Sequence, residues 1–306
     1  FSSQGHTMNE STIIQRKRFL FGLGSLNKTR AGKIKLHVYW GRVALVTVTL
    51  AAVAWVGLFT AAFLHFKYRT DYQEVSYLET LVLPFNRNAF ERKRGEYYIK
   101  TAYEAMESED YRKALNMFRN GLLRAPADLR ARSTLSEFYE FLINRPVLAA
   151  DLLIGGIPHL RGSDPDTQSQ YIRRFFQITS RNQLDGKVIE AGAAVGESLG
   201  DGALDDRLES LVHYQVASAH RNLGNANKAL SIIETRQLER FSEGAVLRAQ
   251  VHWDEGRESQ AIAYLESRLD HFRENLPIYE KLIHLLREKG RFDRARHYSL
   301  LFEIEH

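Results

Sequence analysis

A short motif recurs three times in the second half of the chain and constrains its fold class. It reads Gly-Asn-Ala-Asn-Lys-Ala from Gly224, Gly-Arg-Glu-Ser-Gln-Ala from Gly256 and Gly-Arg-Phe-Asp-Arg-Ala from Gly290. The glycines are 32 and 34 residues apart. A period in this range is typical of stacked helical hairpins, which mostly bind other chains. The sequence therefore predicts an all-α repeat array that functions by binding other chains.

The positive charge of the chain is confined to its N-terminal quarter. The sequence carries 42 Lys and Arg against 37 Asp and Glu, a formal net charge of +5. Residues 1–70 hold ten of the basic residues and one acid, so residues 71–306 hold 32 basic and 36 acidic residues, a balance of −4. A nucleic-acid-binding surface needs clustered positive charge. We therefore expect no nucleic-acid partner for the repeat region.

An uncharged segment predicts one transmembrane helix, from Val43 to Phe66. These 24 residues lie between Arg42 and Lys67. At about 1.5 Å per residue, a helix of this length crosses a hydrocarbon core of about 30 Å. A buried core helix is the alternative, but such helices rarely run this long. Aromatic residues typical of membrane interfaces flank the segment: Tyr39, Trp40, Phe66 and Tyr68.

The charges on either side of this segment predict its orientation. Two basic residues, Lys67 and Arg69, follow it closely, whereas five precede it: Lys28, Arg30, Lys33, Lys35 and Arg42. Basic flanks stay on the cytoplasmic side. We therefore expect a cytoplasmic N-terminus and an extracytoplasmic repeat region, which would be periplasmic in a Gram-negative bacterium. The inverted topology, with the repeats facing the cytosol as a recruitment adaptor, is the alternative.

Composition divides the chain into four parts. Residues 1–42 are expected to form a basic cytoplasmic tail, partly disordered because Phe1 to Glu10 shows no periodicity. Residues 43–66 are the transmembrane helix. In residues 67–94 we expect a helical continuation from Tyr68 to Leu83 and a basic connector from Phe85 to Arg94. Residues 95–306 form the repeat array.

The pattern of small and large residues in this array resembles the tetratricopeptide repeat. In the unit from Gly95 to Asp128 the matching residues are Tyr98, Ala102, Ala114, Phe118, Gly121 and Pro126. Later units match at His213, Ala217, Ala229, Ala249, Ala261, Tyr279 and Ala295. The resemblance implies a right-handed α-solenoid of about six helical hairpins. Its register is weakest between Pro146 and Gly202.

The resemblance also implies which side chains line the concave groove of the solenoid. They lie at fixed positions of the first helix of each hairpin. We select eleven as candidates for binding a partner: Tyr103, Met106, Glu107, Tyr214, Arg221, Asn222, Gln250, Trp253, Asp254, His284 and Arg287. The same positions hold Glu243, Val246, Glu280 and Glu288. This mixture of aromatic and polar residues suits a peptide or a partner helix.

Signatures of catalysis and of cofactor binding are absent from the sequence. There is no phosphate-binding loop, no zinc-protease motif and no cysteine, so we expect no enzyme activity, no cofactor and no metal site. The histidines His213, His220 and His252 fall at repeat positions that take large packing residues. Packing is therefore the favoured role for them.

Together these features predict a non-enzymatic scaffold that binds protein partners and organises a membrane or cell-envelope complex. An accessory subunit of an enzyme complex for envelope polymers or secretion is the alternative. A catalytic role would need a clustered carboxylate or histidine pocket. The small-xxx-small pair Gly57 and Ala61 would allow self-association through the membrane helix.

Overall fold

The computed structural model describes residues 13–19, 23–29, 34–70, 72–200, 204–271 and 276–305. The chain forms two compact units, Phe1–Arg94 and Gly95–His306. The expected disorder of Phe1 to Glu10 lies outside the described residues, as do the predicted flanking residues Arg30 and Lys33.

The N-terminal tail contains a small antiparallel sheet that the sequence analysis did not predict. Its strands are β1 (Ile13–Phe19), β2 (Gly24–Thr29) and β3 (Ile34–Val38), paired in chain order. The physical signal is the alternation of apolar and basic residues from Ile34 to Val38, which is the period of a strand. The sheet adds to the predicted helical fold, and Lys28 and Lys35 lie in β2 and β3.

The predicted membrane span lies within α1 (Trp40–Arg69), a helix of 30 residues. Helix α1 extends three residues beyond the uncharged segment at each end. Most of its apolar side chains are exposed. Among the described residues, α1 is the one helix long and apolar enough to cross a membrane.

The segment after α1 differs from the prediction. The helix stops at Arg69, and α2 (Tyr77–Leu81) follows a break instead of a continuous helix to Leu83. The expected connector is largely helical, because α3 (Arg87–Glu107) already begins at Arg87. No glycine or proline interrupts residues 87–94, and Phe90 is buried against the rings of Phe66 and Tyr72.

The described part of the second unit consists of six helical hairpins, which confirms the expected number. Hairpins 1 to 3 are α3 with α4 (Tyr111–Leu122), α5 (Leu129–Glu137) with α6 (Pro146–Ile154), and α7 (Pro165–Arg181) with α8 (Asp185–Ser198). Hairpins 4 to 6 are α9 (Asp206–Asn222) with α10 (Ala226–Thr235), α11 (Ser242–Asp254) with α12 (Glu258–Arg268), and α13 (Leu276–Glu288) with α14 (Phe292–Glu305). The first helix of hairpin 2 ends in a π-turn, Phe138–Leu142.

The turns inside all six hairpins share one backbone conformation. Gly224, Gly256 and Gly290 have φ of +75°, +77° and +73°. A glycine in this left-handed region ends a helix without the steric cost that a Cβ atom brings. In hairpins 1 to 3 the same role falls to three polar residues with φ of +62°, +54° and +53°: Glu109, Asn144 and Gln183. The recurring glycine motif therefore marks three of six equivalent turns.

Small residues hold the helices of a hairpin close together. Ala102, Ala114 and Phe118 of hairpin 1 are fully buried. A Cβ atom added to Gly121 would lie 2.6 Å from Ile99 Cγ1 and 3.0 Å from the Gly95 carbonyl oxygen. Only a glycine allows this approach, so the small residues quoted for the repeat act through packing.

Candidate partner-binding groove

The first helices of hairpins 4, 5 and 6 lie side by side and surround one open recess. Helix α11 contacts both α9 and α13. The recess has a volume of about 350 Å³. Its lining residues are Tyr214, Glu243, Val246, Pro277, Glu280, Lys281 and His284. Five of these seven occupy groove positions implied by the repeat resemblance; Pro277 and Lys281 do not.

The recess combines apolar side chains with charged ones. Tyr214 is partly buried, and burial, followed by the negative charge of Glu243, raises its pKa. Burial also lowers the pKa of Lys281, and the positive charge of Arg221 adds to this effect. Among the described residues, neither Glu280 nor Lys281 has an ion-pair partner. A partner can therefore offer either charge to this wall of the recess.

Three predicted groove residues pair with one another across two hairpins. Arg221 Nε donates to Asp254 Oδ2 at 2.6 Å, and its two terminal nitrogens donate to Asp254 Oδ1 at 3.3 Å and to Gln250 Oε1 at 3.1 Å. This fork joins α9 to α11. The geometry suits a planar guanidinium, which presents its donors in a fixed arrangement.

Asn222 and Trp253 face other parts of the array. Asn222 Nδ2 donates to Asp185 Oδ1 at 3.0 Å and borders a separate cavity of about 160 Å³ between hairpins 3 and 4. Trp253 is half-buried against the core of hairpins 5 and 6. Neither residue lines the main recess.

Arg287 and His284 extend the candidate surface on hairpin 6. Both are exposed, and both line a second recess of about 410 Å³ together with Glu280, Glu288 and Ser299. His284 Nδ1 lies 3.6 Å from Glu288 Oε2. His284 therefore belongs to both recesses and connects them.

The predicted residues of hairpin 1 do not line the main recess. Tyr103 stacks edge-on with Phe118, and its hydroxyl lies 3.4 Å from Thr134 Oγ1 of hairpin 2. Met106 packs against the core of hairpin 1, and Glu107 is exposed. Tyr103 and Met106 therefore contribute to packing between hairpins.

Of the three histidines at packing positions, one is buried and two, His213 and His252, are half-buried. His220 is 9% exposed, and His252 is half-buried. Burial lowers the pKa of both imidazoles, with further contributions from Lys228 and Arg257 respectively. A buried neutral imidazole fits the packing role that the repeat positions implied.

A catalytic pocket would need clustered carboxylates or histidines, and the main recess brings Glu243, Glu280 and His284 to one place. All three are exposed to solvent. A catalytic site normally excludes water so that charges act strongly on a substrate. Within the described ranges no group of three or more His, Asp and Glu residues is placed to hold a metal ion.

The basic residues that flank the uncharged segment of α1 are only partly described. Lys28 and Lys35 lie in β2 and β3. The Arg42 guanidinium lies 5.3 Å from the centre of the Tyr39 ring. Gly57 and Ala61 are exposed on α1, so their role in self-association stays a prediction.

Comparison with known proteins finds solved structures of low similarity to this chain. No protein-family model and no curated protein matches the sequence. The structure of pilF from Pseudomonas aeruginosa is 14% identical in sequence to this chain and has a TM-score of 0.38. The match covers 71% of this chain and 93% of the pilF chain. MamA is 14% identical, with coverages of 65% and 94% and a TM-score of 0.38. A thermophilic TPR protein of Thermus thermophilus is 17% identical, with coverages of 63% and 98% and a TM-score of 0.31. These scores are low, so the assignment of the repeat rests on the hairpins themselves.

Proposed function

We propose that this chain is a non-enzymatic, membrane-anchored scaffold that holds a protein partner in the groove of hairpins 4 to 6. The observation that carries the proposal is the recess of about 350 Å³ formed by Tyr214, Val246, Glu280 and their neighbours. Residues assigned to the groove from three separate repeats meet there. An array of hairpins presents such a surface to extended or helical segments of other proteins.

The chemistry of the recess favours a peptide segment over a small molecule. Tyr214, Val246 and Pro277 offer apolar area, whereas Glu243, Glu280 and Lys281 place charges around it. The recess is open and its charged residues are mostly exposed. A small-molecule site usually encloses most of its ligand, while a protein interface combines an apolar centre with a polar rim.

Helix α1 supports the anchoring part of the proposal. Its length and its exposed apolar surface suit a lipid environment. Anchoring raises the effective concentration of a partner that resides in the same membrane. The basic residues before α1 favour a cytoplasmic N-terminus and an extracytoplasmic solenoid.

Site-specific photocrosslinking in native membranes tests the groove. A photoreactive amino acid at Glu280 or His284 should capture a discrete protein partner, which mass spectrometry then identifies. The matched control is Gln260, which is exposed on the second helix of hairpin 5. Equal capture from Gln260, or no capture from either groove position, would contradict the proposal. Lys281→Gln should weaken capture without unfolding the solenoid, because it removes the charge at the recess without introducing a negative charge beside Asp254 and Glu288.

The absence of cysteine makes the topology directly measurable. A single cysteine in place of Gln260 should react in intact cells with a reagent that crosses the outer membrane but not the inner one. Protection in intact cells, followed by labelling after permeabilisation, would favour the cytosol-facing adaptor. An enzyme of envelope polymer metabolism or secretion captured at the groove would identify the chain as an accessory subunit.

A further inference from the structure

We propose that the segment Tyr77–Phe85 is embedded in lipid beside the carboxyl-terminal half of α1. The inference rests on the proposed membrane span of α1. It adds a second membrane-contacting element to the chain. The element is defined by its contacts with α1, by the apolar character of its outer face and by its internal hydrogen bonds.

The segment runs back along α1 and contacts residues inside the uncharged span. The hydroxyls of Tyr77 and Thr60 share a hydrogen bond of 3.0 Å, and the Tyr77 ring lies 5.6 Å from that of Phe63. Farther along, the ring centres of Phe85 and Trp55 are 6.0 Å apart. Trp55 precedes Phe66 by 11 residues, which is about 16 Å along a helix. The segment therefore reaches about halfway into a hydrocarbon core of about 30 Å.

The exposed side chains of this segment are apolar. Leu78 is 69% exposed and Val82 is half-exposed, and the Phe85 ring, although it meets Trp55 of α1, is 80% exposed. Thr80 is fully buried, and its hydroxyl donates to the carbonyl oxygen of Tyr77. The exposed side chains continue the apolar surface of α1, where Leu58 is 65% exposed. In water this surface would be a large unpaired apolar patch, whereas acyl chains would cover it favourably.

The amides of the turn after α2 have backbone partners, as a lipid environment requires. From Thr80 onward, five amides donate to carbonyl oxygens within the segment or just before it. The pairs are Thr80 to Ser76, Val82 to Leu78, Leu83 to Thr80, Phe85 to Val82 and Asn86 to Val82. Pro84 has no amide hydrogen to satisfy. The turn that follows α2 can therefore enter the membrane without water to bond it.

The one acidic side chain of the segment is neutralised. Glu79 Oε1 lies 2.5 Å from Lys93 Nζ. Close to this pair, the Arg94 guanidinium lies 5.3 Å from the centre of the Phe66 ring. Paired charges and aromatic rings of this kind are typical of the boundary between acyl chains and headgroups. The segment therefore has an apolar exposed surface and polar ends, because the exposed Asn86, Arg87 and Asn88 follow Phe85 directly.

Single spin labels on the full chain measure the depth of the segment. The cysteine-free protein carries Leu78→Cys or Phe85→Cys and is reconstituted into phosphatidylcholine vesicles. Accessibility to oxygen, which concentrates in lipid, is compared with accessibility to a water-soluble nickel chelate. Leu58→Cys on α1 is the lipid control, and Leu123→Cys, at an exposed leucine after α4, is the aqueous control.

We expect labels at Leu78 and Phe85 to be several-fold more oxygen-accessible, relative to nickel, than the label at Leu123. Nickel accessibility equal to that at Leu123, with Leu58 still in lipid, would overturn the inference and leave the membrane span intact. Shielding from both reagents would also overturn it, because protein would then cover the segment. A label at Leu58 that reports water would refute the span itself and the inference with it.

Discussion

One alanine substitution in hairpin 5 tests how closely the repeat packs. Gly244 lies in the first turn of α11. A Cβ atom at this position would lie 2.0 Å from the carbonyl oxygen of Leu238 and 2.5 Å from its carbonyl carbon. Leu238 is itself 1% exposed. The obstacle is therefore a fixed backbone group and not the end of a flexible side chain.

The expected loss of stability for Gly244→Ala follows from this distance. Ordinary contact begins at 3.4 Å, so the backbone groups must separate by about 1.4 Å. Overpacking of this kind typically costs about 1–3 kcal/mol, and the higher helix propensity of alanine returns at most about 1 kcal/mol. We expect a net destabilisation of about 2 kcal/mol.

The matched control is Gly196→Ala in α8. Among the described residues, no atom lies within 4 Å of a Cβ built on Gly196. The same substitution should therefore stabilise the protein by up to about 1 kcal/mol. The two glycine-to-alanine changes are expected to have opposite signs.

Urea unfolding in detergent micelles measures both effects. Trp253 lies in α11 and reports on hairpin 5 by fluorescence when Trp40 and Trp55 are replaced by phenylalanine. Far-UV circular dichroism of the same samples follows the whole array. A midpoint for Gly244→Ala equal to or above that of the parent would refute the packing argument.

Substitutions at Gly224, Glu140 and His220 test other features of the array by the same unfolding assay. Gly224→Ala should lower the free energy of unfolding by about 1 kcal/mol, because Gly224 has a φ of +75°, and Gly224→Asn should lower it less. Equal unfolding midpoints for the parent and both variants would contradict a conformational role of Gly224. Glu140→Gln should lower the free energy of unfolding by about 2 kcal/mol, because the Glu140 side chain is 4% exposed and accepts hydrogen bonds from Arg174 and Arg181. The matched control is Glu137→Gln, which should lower it by less than about 1 kcal/mol because the Glu137 side chain is 53% exposed. Burial lowers the pKa of His220, so the unfolded chain takes up a proton first as pH falls below about 6.5, and stability declines there. His220→Leu should show a smaller decline between pH 7 and 5, and identical slopes would refute this assignment.

The helical array could be predicted because its packing repeats at fixed spacing. Ala114, Ala229 and Ala261 are fully buried where two helices meet. The same small residue therefore recurs at this position of each repeat. The turn glycines act in the same way. Glu109, Asn144 and Gln183 adopt the same turn conformation, but polar residues at single positions carry little signal of it.

The arrangement of the groove could be predicted only in part. Repeat positions identified Tyr214, Val246 and Glu280, because a position in the repeat sets the direction of a side chain. They did not identify Lys281, which lies next to a groove position and reaches the recess from its edge. They also could not show that Arg221 would pair with Asp254, since that bond depends on the distance between two hairpins.

The segment after α1 escaped prediction for a different reason. Its composition is apolar enough to continue a helix, and nothing local shows that Tyr77 and Phe85 contact α1. The strands of the tail were missed although Ile34 to Val38 alternates with the period of a strand.

The Arg221 fork makes the two sides of the groove unequal in conformational entropy. Its bonds to Asp254 and Gln250 already restrict three long side chains before any partner arrives. Ordering one such side chain on association costs about 0.5–1.5 kcal/mol, and preorganised groups avoid much of that cost. On α13, Lys281 and Glu280 have no such described restraint. A partner that extends beyond the recess along α9 and α11 would therefore meet side chains that are already ordered, whereas Lys281 and Glu280 of α13 would lose conformational freedom on binding.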